Sequence, residues 1–157
     1  MIYDKDAKTI TFDTRRDADG VRLNDDPVIL AAITRGANSR VGRIKRTPPR
    51  DEAQGLRFEK MAAGYKELAR KAINGARATH ITRDDEGQGR PEVRDNPDEI
   101  VLSGDEELGF AAFALMDVTS MPASTLSRVD EPDSRVAQMN DIVWAANLEL
   151  CDLAVFR

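Results

Sequence analysis

One cysteine, one histidine, one tryptophan and few aromatic residues are spread over 157 positions. A lone Cys151 excludes an intrachain disulfide framework and fits a reducing compartment. A lone His80 excludes His-rich metal sites, and Cys151 sits too deep in an apolar pattern to serve as an obvious ligand. With aromatics at 5%, the core must be built from Leu, Ile, Val, Met and Ala. No apolar run approaches the length needed to cross a bilayer. Carboxylates interrupt the opening "MIYDKDAKTITF" where a secretion signal requires an apolar stretch. The expected setting is therefore intracellular (cytoplasmic) in origin, with no signal peptide and no membrane segment.

What is present is charge and helical periodicity. Charged residues make up 32% of the chain and the formal net charge is −5, which suits a well-solvated single domain spanning 1–157. The first fourteen residues alternate around a polar "DKDAK" and predict a β-hairpin, which is marginal alone and must pack on something else. "NDDPVILAAITRG" predicts a short helix with Asp26 as N-cap, Pro27 in the first turn and Gly36 as terminator; a buried strand over Val28–Ile33 competes with it.

The strongest periodicity runs from Asp51 to about Ala78. Phe58, Met61, Ala62, Tyr65, Leu68, Ala69, Ala72, Ile73 and Ala76 share one face, with charged residues opposite and a Glu67–Lys71 pair along the surface. Residues 83–99 predict a charged Gly/Pro loop, and Ile100–Leu102 a short strand. Ser103 and Glu106 form a capping box before "LGFAAFALMDV", a helix apolar all round except at Asp117. A last helix from about Ser134 to the C-terminus carries an apolar sector wider than one neighbour requires. The expected fold class is mainly α (α+β): a small bundle of about four helices with an N-terminal β-hairpin.

Sequences that approach known chemistries stop short of them. "GANSRVGRIK" has five residues rather than four between Gly36 and Gly42, and no Lys-Ser or Lys-Thr follows, so the phosphate and magnesium contacts of a nucleotide loop are missing. "RRDADGVRLNDD" places Asp17, Asp19, Gly20 and Asp26 in a calcium-loop register, but Arg15 stands where the first oxygen ligand belongs. No nucleophile elbow supports Ser103, Ser120 or Ser124. His80 reads as a cation near a helix C-terminus. The clusters Asp84-Asp85-Glu86 and Asp130-Glu131-Pro132-Asp133 hold magnesium only if the fold unites them, which makes a magnesium enzyme the third reading. The expectation is a non-enzymatic protein with no cofactor and no metal.

The feature that asks for a function is "TRGANSRVGRIKRTPPR". Within this basic loop, 35–50, stand Arg35, Arg40, Arg43, Lys45, Arg46 and Arg50, with no carboxylate among them. Residues 83–99 answer with seven acids against three bases. A basic arm and an acidic loop on one molecule suit head-to-tail contact between copies. Trp144, Leu148, Leu153 and Phe156 of the last helix would add the apolar area that charge pairs lack.

These ten residues are the candidate partner-binding set, and the partner class is protein: self-association or assembly neighbours. The expected function is a structural subunit of a larger oligomeric assembly; by analogy its setting is a virus or phage particle, as a capsid or head–tail connector component. The alternative is a small regulatory protein that binds nucleic acid, or a nucleic-acid-binding partner, through the basic segment. Against it stand the acidic total and the absence of aromatics between the cations. No membrane partner is expected.

Overall fold

A computed structural model describes residues 1–77, 79–83, 85–93, 96–119, 145, 146 and 148. Among these, β1 (Ile2–Asp4) and β2 (Thr9–Asp13) form the N-terminal hairpin. Two long helices follow, α1 (Asp26–Arg46) and α2 (Glu52–Ala76). Next come the paired strands β3 (Thr79–Arg83) and β4 (Gly89–Val93), then β5 (Glu99–Ser103) and α3 (Asp105–Thr119). The molecule is mainly helical, with three helices among the described residues rather than about four. The expected last helix lies outside them except at 145, 146 and 148, where Ala146 is buried and Leu148 is exposed.

The hairpin finds the neighbour it needs in β5. The antiparallel order is β1-β2-β5, with Ile10 opposite Leu102 and Phe12 opposite Ile100. All four side chains are buried, so one face of this sheet is apolar and covers the helices, as period-2 alternation requires. The sheet lies where α1 begins, α2 ends and α3 begins. Asp26 accepts the Asp13 N–H and the Met1 nitrogen, each at 2.8 Å. Gly104 N–H donates to the Lys8 carbonyl at 3.0 Å. A Cβ on Gly75 would stand 2.4 Å from Thr14 Cγ2 and 2.7 Å from Leu30 Cδ1.

Several local expectations shift. Asp25, not Asp26, is the N-cap of α1, which frees the Asp26 carboxylate to hold the hairpin. Gly36 does not end α1; the helix runs ten residues further, so most of the expected basic loop is helical. Arg, Lys, Ser and Val tolerate a helix well enough to continue it, and Gly36 is there for contact: a Cβ at this position would lie 1.8 Å from the Ala114 carbonyl oxygen of α3.

The cap of α3 also moves by one position. Glu107, rather than Glu106, reaches back to the Ser103 N–H at 2.7 Å. The expected 83–99 loop contains β4, paired to β3 with His80 opposite Glu92 and Ile81 opposite Pro91. "GRPEV" is poor in strand formers and includes a proline, so local pattern hides it. Glu67 pairs with Arg70, while Lys71 crosses to Glu107 of α3 at 3.0 Å. No helix among the described residues is long and apolar enough to cross a membrane.

Candidate functional site

The two long helices outrun the core that covers them. In α1 the last buried residue is Val41, and in α2 the first is Tyr65. The α2 segment ahead of Tyr65 is about 20 Å long and its apolar face, continuous in sequence, loses its cover. On this face Phe58 and Ala62 are half-buried and Met61 is 37% exposed. Asp51 caps this helix by accepting the Gln54 N–H at 2.7 Å, and Pro48-Pro49 stiffen the turn. The result is a helical-hairpin tip at the end of the bundle away from the sheet.

Between the two helices at this tip lies a groove of about 540 Å³. Ile44, Thr47, Pro49, Gly55, Phe58, Ala62 and Ala63 line it, together with Lys45, Lys66 and Glu59. From residue 43 to 66 there are seven cations against three carboxylates. The site is an apolar trough in basic surroundings.

The six cations of the basic segment part ways. Arg40 and Arg43 turn inward to Asp117 of α3, at 3.1 and 3.0 Å. Asp117 is only 7% exposed, and the Arg40 guanidinium also lies 5.2 Å from the centre of the Phe113 ring. Arg35 is half-buried, with its Nε lacking a hydrogen-bond partner. Lys45, Arg46 and Arg50 are exposed and make no ion pair among the described residues. Leu148 is 54% exposed; Trp144, Leu153 and Phe156 lie outside the described residues, as do Cys151 and the acidic cluster 130–133.

Beneath the tip, Tyr65 packs edge-on against Phe110 with ring centres 4.6 Å apart. Burial pushes the Tyr65 hydroxyl above the ordinary phenol range, opposed by Arg40 and assisted by Asp117. This network joins α1, α2 and α3 beneath the projecting helices. Sequence periodicity had placed Phe58, Met61 and Ala62 in the core; what it missed is that no element of the described chain arrives to cover them.

The other chemical candidates resolve into local structure. The Gly36–Gly42 segment is helix. Asp17 Oδ1 accepts from its own loop, from the Asp19 and Val21 N–H groups at 2.9 Å each. No group of three or more His, Cys, Asp or Glu converges in metal-binding geometry among the described residues. His80 stands in β3 rather than at a helix end. Compared with models of known families, with curated proteins and with solved structures, the chain matches none.

Proposed function

We propose that this protein is a non-enzymatic interaction subunit of a larger oligomeric assembly, and that it docks a protein neighbour at the tip of the α1–α2 hairpin. The observation that carries this reading is the apolar groove between Ile44 and Phe58, lined entirely by residues of α1, α2 and the turn between them. Each large apolar side chain that a partner covers contributes about 1.5–3 kcal/mol. The unpaired Lys45, Arg46 and Lys66 would set orientation and speed of encounter more than affinity. A virus or phage particle, in its capsid or head–tail connector region, is the setting we favour by analogy.

The test is native mass measurement of protein purified from its source, alongside an Ala63→Glu variant that places a charged side chain in the groove. A multimer or bound protein partner is expected, lost in A63E while the circular dichroism spectrum is unchanged. A monomer with nothing bound, or a complex indifferent to A63E, removes this reading.

One observation favours a second reading. Lys45, Arg46, Arg50, Arg57, Lys60 and Lys66 all project from the same tip without an ion pair among the described residues, a suitable footprint for a polyanion. Six phosphate contacts on duplex DNA would give a log–log salt slope of about −5. No fully exposed aromatic ring accompanies them to stack on bases, which is why the protein partner stands first.

A further inference from the structure

We infer that the neighbour docked on the hairpin tip is a second copy of this chain, presenting its sheet end, so that copies join head to tail. The inference rests on the protein-docking reading above and names the partner. Its basis is a separation of charge along the molecule. From residue 43 to 66 there are seven cations against three carboxylates; residues 1–26, 67–77 and 96–107 together hold thirteen carboxylates against eight cations. The first set forms the hairpin tip, and the second lies at the sheet end.

The separation is also spatial. The 25-residue α2 is about 37 Å long, so the tip cannot reach the sheet end of its own molecule. The pairs Lys8–Asp105, Arg15–Asp13, Arg22–Asp25, Arg70–Glu67 and Lys71–Glu107 each join a cation and a carboxylate of the sheet end and so leave its net charge unchanged, while at the tip Arg43 is drawn to Asp117.

The sheet end carries the apolar counterpart as well. Ile2, Val21 and Leu23 are 73%, 58% and 57% exposed. A hollow of about 660 Å³ lies beside Ile2, lined by Asp13, Arg15, Asp26, Asp98 and Glu99 among others. Asp13 is engaged by Arg15, and Asp26 by the Met1 nitrogen, whereas Asp98 and Glu99 make no ion pair among the described residues. Exposed apolar side chains among acids at one end thus face an apolar groove among bases at the other. A contact between two different surfaces of the same chain is heterologous, and its repetition gives a ring or a filament.

Paired charge reversals test this. The tip variant combines Lys45→Glu, Arg46→Glu and Arg50→Glu; the sheet-end variant combines Asp98→Lys and Glu99→Lys. All five side chains are exposed and none forms an ion pair among the described residues, although Asp98 acts electrostatically on Arg15, so both variants should keep the wild-type circular dichroism spectrum. Wild-type protein at low salt is expected to form species heavier than a monomer in light scattering. Each variant alone should be monomeric, and an equal mixture should regain the heavy species, because each reversed surface meets its new complement.

Wild-type protein that stays monomeric up to millimolar concentration overturns the inference while leaving capture of a different protein at the tip to be judged by A63E. Association lost only in the tip variant indicates a tip-to-tip contact and also overturns it, as does a heavy species that nuclease removes. Should either variant fail to fold, carbodiimide cross-linking of mixed 14N- and 15N-labelled wild-type protein decides. Isotopically mixed cross-links from Lys45 to Asp98 or Glu99 support the contact, and their absence rejects it.

Discussion

Asp117 is the one carboxylate that α3 carries into its buried surface, and it survives there because two arginines meet it. Arg40 is 23% exposed at its side chain and Arg43 is 59% exposed, so the two arms of this network should not weigh equally. Asp117→Ala leaves Arg40 half-buried without a counter-ion and is expected to cost about 2–3 kcal/mol. Arg43→Ala should cost less than about 1 kcal/mol, since water already screens its charge. Urea denaturation of both variants checks the order, and equal effects would contradict it.

A second residue-scale expectation concerns acid. The Arg15 side chain donates to the Asp13 carboxylate at 2.9 and 2.8 Å and holds its pKa down to about 2, from 3.8. A depressed carboxylate pKa means the unfolded state binds the proton more readily. This group's stabilising contribution is therefore complete above the ordinary value and is lost as pH falls through about 2. Carbon-13 NMR titration of Asp13 should find its midpoint near 2, moving up toward the ordinary value in Arg15→Ala.

Elements of this fold are joined at points where the chain gives up its side chains. At Gly36 the α1 backbone approaches the Ala114 carbonyl so closely that a methyl group has no room. Gly36→Ala should gain up to about 1 kcal/mol in helix propensity yet be destabilising on balance, because overpacking costs about 1–3 kcal/mol and the obstacle is backbone. Gly109, on the open side of α3, has nothing within 4 Å of the corresponding position. Gly109→Ala should raise stability by up to about 1 kcal/mol. Thermal melts of the two variants should move in opposite directions, and a stabilised Gly36→Ala would refute the close packing.

The same glycine shows how far the elements were legible. Hairpin, long helix and α3 follow from alternation and 3.6-residue spacing, both local properties. Gly36 misleads because, read locally, a glycine after an apolar run marks a C-terminus; its reason for being there belongs to a helix that follows much later in the chain. β4 hides for the converse reason: "GRPEV" has little strand preference of its own and gains its conformation from pairing with β3.

At the scale of the whole molecule, the described residues form a bundle with a sheet across one end and a projecting helical tip at the other. Its core is built around Leu30, Ile33, Leu68 and Leu115, and among the described residues the groove near Phe58 lies apart from it, lined only by α1, α2 and their turn. Ala63→Glu, placed on exposed surface, should therefore change stability by no more than about 0.5 kcal/mol while abolishing association. The low net charge conceals the segregation beneath it: opposite excesses at the two ends favour end-to-end encounter at low ionic strength and lose that advantage as salt screens them.

By itself the sequence determined the helical class, the hairpin, the near absence of sulfur and imidazole ligands, and the concentration of positive charge between residues 34 and 50. These are properties of composition and of neighbours along the chain, which local periodicity and counting register. Only the tertiary structure decided which of those charges remain available. Arg43 and Asp117 are 74 positions apart, and no pattern in either segment announces that they meet. It likewise decided that Phe58 and Met61, helical and apolar like their core neighbours, are not fully buried by any described residue, because burial depends on what packs against a face and not on the face alone.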